Sequence, residues 1–120
     1  MDNILLSLEP IEEARWETNP ETGVRFQVAA LDAETDQKFT RESTDDKGRL
    51  DFLAYYGRVT EHCVKNWEGV GAKKTPVPCN TENRAKLIRT HGFVVGSWIT
   101  RQAQSLDHYR VAEVTAAKNA

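Results

Sequence analysis

Val24-Arg25-Phe26-Gln27-Val28-Ala29-Ala30 sets Val24, Phe26, Val28 and Ala30 on one face, with Arg25 and Gln27 between them on the other. A period of two is that of a strand with one side on a core. The turn-rich Asn19-Pro20-Glu21-Thr22-Gly23 precedes it, so Arg15-Trp16-Glu17-Thr18 is expected as its antiparallel partner. Downstream, Asp32-Ala33-Glu34-Thr35-Asp36 reads as a polar loop, and Gln37-Lys38-Phe39-Thr40-Arg41 as a third strand with Phe39 its sole core candidate. Beyond Ser43-Thr44-Asp45-Asp46-Lys47-Gly48, whose side-chain oxygens can cap a helix, the pattern changes. From Leu50 to Trp67 the residues Phe52, Leu53, Tyr56, Val59, Thr60, Cys63, Val64 and Trp67 recur at spacings of three and four, which predicts a long amphipathic helix. Gly57 within it is expected to mark a close helix contact.

The paired glycines and prolines of residues 68–80 exclude helix there and predict an extended loop. Asn80 or Thr81 then caps a short helix through about Thr90, with Glu82 near its positive end and Gly92 placed to terminate it. A last helix from about Phe93 carries Val95, Trp98, Ile99, Ala103, Leu106 and Tyr109 on one side, and the tail from Val111 to Ala120 is expected to fray. The change from strand to helix periodicity predicts an α+β fold. Its parts are a small N-terminal antiparallel β-meander over about residues 15–41, packed on about three α-helices over residues 50–117, in one domain spanning 1–120.

A chain of 120 residues with 39% hydrophobic and 28% charged side chains can build one modest core, so any large apolar residue left outside must be covered by a partner. The net charge of −2 speaks against a nucleic-acid or membrane-surface binder. That average conceals −6 on residues 1–60 and +4 on residues 61–120, an asymmetry that favours attraction within one molecule or head to tail between copies. The first ten residues have no basic start and only a short, interrupted apolar run, no stretch reaches membrane-spanning length, and Cys63 and Cys79 read as reduced thiols. A cytoplasmic location is expected.

Chemistry is sparse. His62, Cys63, Cys79 and His91 are the one set that could hold zinc, but adjacent His62 and Cys63 diverge by about 100° on a helix, which favours a packed thiol and solvated histidines. Cys79 or Ser97 with His91 or His108 are the residues available as nucleophile and base, yet no nucleophile elbow or phosphate-cradling motif accompanies them. Neither a catalytic residue, a metal nor a cofactor is therefore assigned. Lys73, Lys74, Arg84, Lys86 and Arg89 form the basic concentration, read as solvated rather than as a nucleic-acid patch because no aromatic interleaves it. Trp67 admits two readings, a plug at the base of the core, which is preferred, and an interface anchor. With Val70, Val77 and Trp98 it makes the candidate partner-binding set.

Four stretches together carry a family resemblance: Glu21-Thr22-Gly23-Val24-Arg25-Phe26, Val64-Lys65-Asn66-Trp67-Glu68-Gly69-Val70, Thr75-Pro76-Val77-Pro78-Cys79-Asn80 and Thr81-Glu82-Asn83-Arg84-Ala85-Lys86-Leu87-Ile88. The chain resembles the small tail assembly chaperones of long-tailed bacteriophages, over about residues 21–105 and most densely over 64–88. The N-terminus is less apolar than that pattern. The resemblance implies a non-enzymatic protein that coats the tape measure protein, keeps it soluble and helps recruit tail tube subunits, with weak homo-oligomeric contacts. It also implies two product lengths made by a ribosomal frameshift, with which Ala117-Lys118-Asn119 is compatible. The alternative is another small phage or bacterial interaction protein, such as a head–tail connector or a regulator.

Overall fold

The computed structural model describes residues 4–111, so all of the expected fraying tail but Val111, which is paired with Leu5, and the Ala117-Lys118-Asn119 stretch lie outside the described residues. The fold is α+β. Strand β1 (Leu5–Leu6) precedes β2 (Arg15–Thr18) and β3 (Arg25–Val28), which pair antiparallel with Trp16 opposite Gln27 and Glu17 opposite Phe26. The expected hairpin is thus present, its turn held by Asn19, whose buried Oδ1 accepts from the Thr22 amide at 2.9 Å and the Thr22 hydroxyl at 2.8 Å.

Residues expected as loop and third strand are instead helix α1 (Ala33–Glu42). Asp32 caps it by accepting from the Thr35 amide at 2.7 Å, Glu34 and Asp36 lie in its positive first turn, and Arg41 lies in its last. A turn around Asp45, which accepts from the amides of Lys47 and Arg49, leads to α2 (Phe52–Cys63). Its cap is Asp51, which accepts from the Ala54 amide, rather than an oxygen of residues 43–48.

The helix expected through Trp67 ends at Cys63, and β4 (Val64–Glu68) begins with no intervening loop. β4 pairs antiparallel with β3, so the third strand of the meander comes from here and the sheet order is β2-β3-β4. Val64 faces Val28 and Asn66 faces Gln27, leaving Lys65 as an extra residue in a β-bulge. The bulge resets the pleat, so that Val64 and Trp67, three apart, both point into the core. Their helix-like spacing has this cause.

The expected loop contains a small hairpin, β5 (Gly71–Ala72) with β6 (Thr75–Pro76), turned by Lys73 at φ 58° and Lys74. Gly71 is required there, because a Cβ would lie 2.7 Å from the Thr75 carbonyl oxygen. Helix α3 (Thr81–His91) starts at Asn80, whose side chain accepts from the Asn83 amide at 2.9 Å. Gly92 does not terminate it. The chain continues through a π-helical turn (Gly92–Gly96) into α4 (Ser97–Ala103), because Gly92 and Gly96 let the turn press onto Leu53 and Tyr56 of α2. The expected last helix accordingly stops at Ala103, leaving Leu106 exposed and Tyr109 half-buried around a 3₁₀ turn (Leu106–His108). Strand β7 (Arg110–Val111) then returns to pair with β1.

The core lies between the sheet and the helices and centres on Phe26, whose ring meets Trp67 edge-on at 6.3 Å and Trp98 at 5.9 Å. Val28, Val59, Cys63, Val64, Ile99 and Ala103 complete the sealed interior. Tyr55 donates its hydroxyl proton to Asp36, tying α2 to α1, and burial with that contact raises its pKa.

Candidate functional site

The four candidate partner-binding residues divide into two pairs. Trp67 and Trp98 are core residues, 6% and 8% exposed. Val70 and Val77 are half-buried and stand together in a cleft of about 460 Å³. Trp67 still shapes that cleft: its Nε1 donates to the Val77 carbonyl at 2.9 Å, while the Val77 amide donates to the Val70 carbonyl at 3.0 Å. Two segments carrying the resemblance, residues 64–70 and 75–80, are thereby fastened to each other.

Val24, Val70 and Val77 form one side of the cleft and Leu87 and Val95 the other, with Asn83, Lys86 and His91 along the rim. Among the described residues the lining includes no carboxylate. Asn83 also donates to the Pro78 carbonyl at 2.9 Å and holds the loop against α3.

On another face, a shallow groove of about 910 Å³ runs between α2 and α3. Its wall and floor include Phe39, Leu53, Ala54, Gly57, Ala85 and Ile88. A Cβ built on Gly57 would meet nothing within 4 Å among the described residues, so this glycine opens onto the groove and makes no close helix contact with them, contrary to expectation. One end is closed by Glu61, which accepts from the Thr81 hydroxyl at 2.8 Å and pairs with Arg84 at 3.5 Å. Towards the other end α2 meets the π-helical turn, where Phe52 is 53% and Phe93 68% exposed.

The basic concentration does not stay together. Arg84 turns inward and donates from Nε to the Val64 carbonyl at 2.8 Å, pinning α3 to β4, and Lys86 pairs with Glu82. Lys73 and Lys74 sit at the tip of the β5–β6 hairpin.

Among the described residues, no three His, Cys, Asp or Glu side chains gather as a metal site. Cys63 is sealed in the core, and burial pushes its thiol up to about 12; burial also raises Cys79. Ser97 donates to the Phe93 carbonyl of its own helical run, and His108 is buried against the Gln102 carbonyl. No helix among the described residues is long and apolar enough to cross a membrane. No family model matches the chain, and neither a curated protein nor a solved structure does.

Proposed function

We propose that the protein is a non-enzymatic tail assembly chaperone of a long-tailed bacteriophage or prophage. In this reading it works in the host cytoplasm, lays the α2–α3 groove along helical segments of the tape measure protein, and helps recruit tail tube subunits. Gly57 carries the proposal. A glycine inside a helix costs about 1 kcal/mol relative to alanine, and no neighbour among the described residues needs the missing Cβ. A second helix approaching closely does need it. The small residues Ala54 and Ala85 continue the same floor, and the exposed Phe52, Leu53 and Phe93 offer anchors at its end. An amphipathic helix suits such a groove, its apolar side on Leu53, Ala54, Ala85 and Ile88 and its polar side towards the Arg58, His62, Lys65 and Arg89 that also line it. A long client can then be covered by many copies, each binding modestly, with avidity supplied by neighbours. The resemblance of residues 21–105 supplies the identity of the client.

Co-expression with the tape measure protein encoded in the same genome tests the reading. The client should stay in the soluble fraction with the wild-type protein, stay there less completely with Gly57→Ala, whose Cβ holds the client helix off, and precipitate with Gly57→Leu although both variants remain folded by circular dichroism. A client that is equally soluble with Gly57→Leu removes the groove from the account, and one that precipitates regardless removes the chaperone.

A further inference from the structure

A second surface is independent of that groove. Residues 4–13 display Ile4, Leu5, Leu6, Leu8 and Ile11 in one stretch, and Leu8, 98% exposed, stands further out than Phe52, Leu53, Phe93, Val94 or Leu106, the large apolar side chains exposed elsewhere among the described residues. The segment is held at two points, the Ser7 amide donating to the Tyr109 carbonyl and the Ile11 amide to the His108 carbonyl, both at 2.7 Å. Leu8 therefore stands on a pinned loop, and ordering that loop on binding costs little further entropy. Glu9, Glu12 and Glu13 flank it, exposed and with no ion pair among the described residues.

The cleft has the complementary character, apolar within and lined by no carboxylate among the described residues, with His91 at its rim beside Lys86, whose exposed pair with Glu82 leaves it open to exchange partners. The long-range charge is likewise unsatisfied inside one molecule. Among the described residues one ion pair joins the acidic half to the basic half, Arg25 with Glu68, and it takes its base from the acidic half. Sheet topology then sets the direction. The loop leads into Arg15 at one end of β2, opposite Val28, whereas the cleft takes Thr22, Val24 and Gly69 from the other end of the sheet, beyond the Thr18–Arg25 pair. We infer that the loop of residues 8–13 seats Leu8 and Ile11 in the Val24–Val70–Val77–Leu87–Val95 cleft of a second copy of this chain, joining copies head to tail. Such a contact is heterologous, each copy giving a loop and receiving one.

Sedimentation velocity on the full-length protein and three variants, two of them at exposed sites, decides it. Wild type should associate, and Leu8→Asp and Lys86→Glu should each weaken association roughly tenfold or more, both variants remaining folded by circular dichroism although Lys86→Glu gives up the Glu82 pair and unfolds slightly earlier. Val70→Asp, checked for folding by circular dichroism, should not self-associate, yet should form a one-to-one complex when mixed with Leu8→Asp, since its loop is intact and the other's cleft is open. Wild type that stays monomeric at millimolar concentration overturns the inference and leaves the cleft to a foreign ligand. So does association that survives Leu8→Asp, or a folded Val70→Asp that forms no complex with Leu8→Asp.

Discussion

Trp67 joins two kinds of interaction that substitution can separate. Its ring fills the core beside Phe26, and its Nε1 holds the Val77 carbonyl at the cleft wall. Trp67→Ala removes both and should cost roughly 3–5 kcal/mol, much of the stability of a chain this size. Trp67→Phe keeps an aromatic ring but loses the donor, and urea unfolding should show a smaller loss, about 1–3 kcal/mol. His108 offers a pH test. It is 2% exposed, its Nε2 faces the Gln102 carbonyl at 3.0 Å, and its Nδ1 has no partner among the described residues. Burial holds its pKa below the usual 6.5, so in the window between the folded value and 6.5 the unfolded chain binds more protons than the native one. Stability must therefore fall as pH drops through that window, and the fall should be shallower in His108→Gln, read as thermal midpoint against pH. Thiol labelling at mild alkaline pH should leave Cys63 unmodified until the protein unfolds, because burial suppresses both its ionisation and its access.

At the scale of elements, Gly57→Ala should raise unfolding stability by roughly 0.5–1 kcal/mol, since alanine fits the space and removes the backbone cost. A decrease in urea midpoint would mean the position is packed after all. The β2–β3 hairpin was legible because alternation and a turn cluster coincided, and α3 because Asn80 is a helix cap followed by Glu82 in the first turn. Helix α1 was not legible from hydrophobic pattern because it buries no residue fully; its signals are the Asp32 cap and the placement of charges along it. The α2–β4 boundary was hidden by the Lys65 bulge, which gives a strand the spacing of a helix. Of the site, Val70 and Val77 stood out as apolar residues in a loop. The groove did not, since Ala54, Gly57 and Ala85 carry almost no hydrophobic signal and Phe52 and Leu53 read as core.

For the whole molecule, opposite charge on the two halves makes association depend on ionic strength. Raising salt from about 0.1 M to about 1 M shortens the screening length from about 10 Å to about 3 Å, so the dissociation constant should rise several-fold. It should not rise without limit, because Leu8 and Ile11 contribute apolar burial that salt does not screen. A salt-insensitive complex would assign the contact to apolar surface alone. The placement of loop and cleft at opposite ends of the β2–β3 pair carries one more implication. Any row of copies is polar, offering an unused loop at one end and an unused cleft at the other. A Leu8→Asp copy can accept the unused loop but has none to offer, so it acts as a chain terminator at that end alone. Small doses should shorten every row while leaving growth at the cleft end untouched.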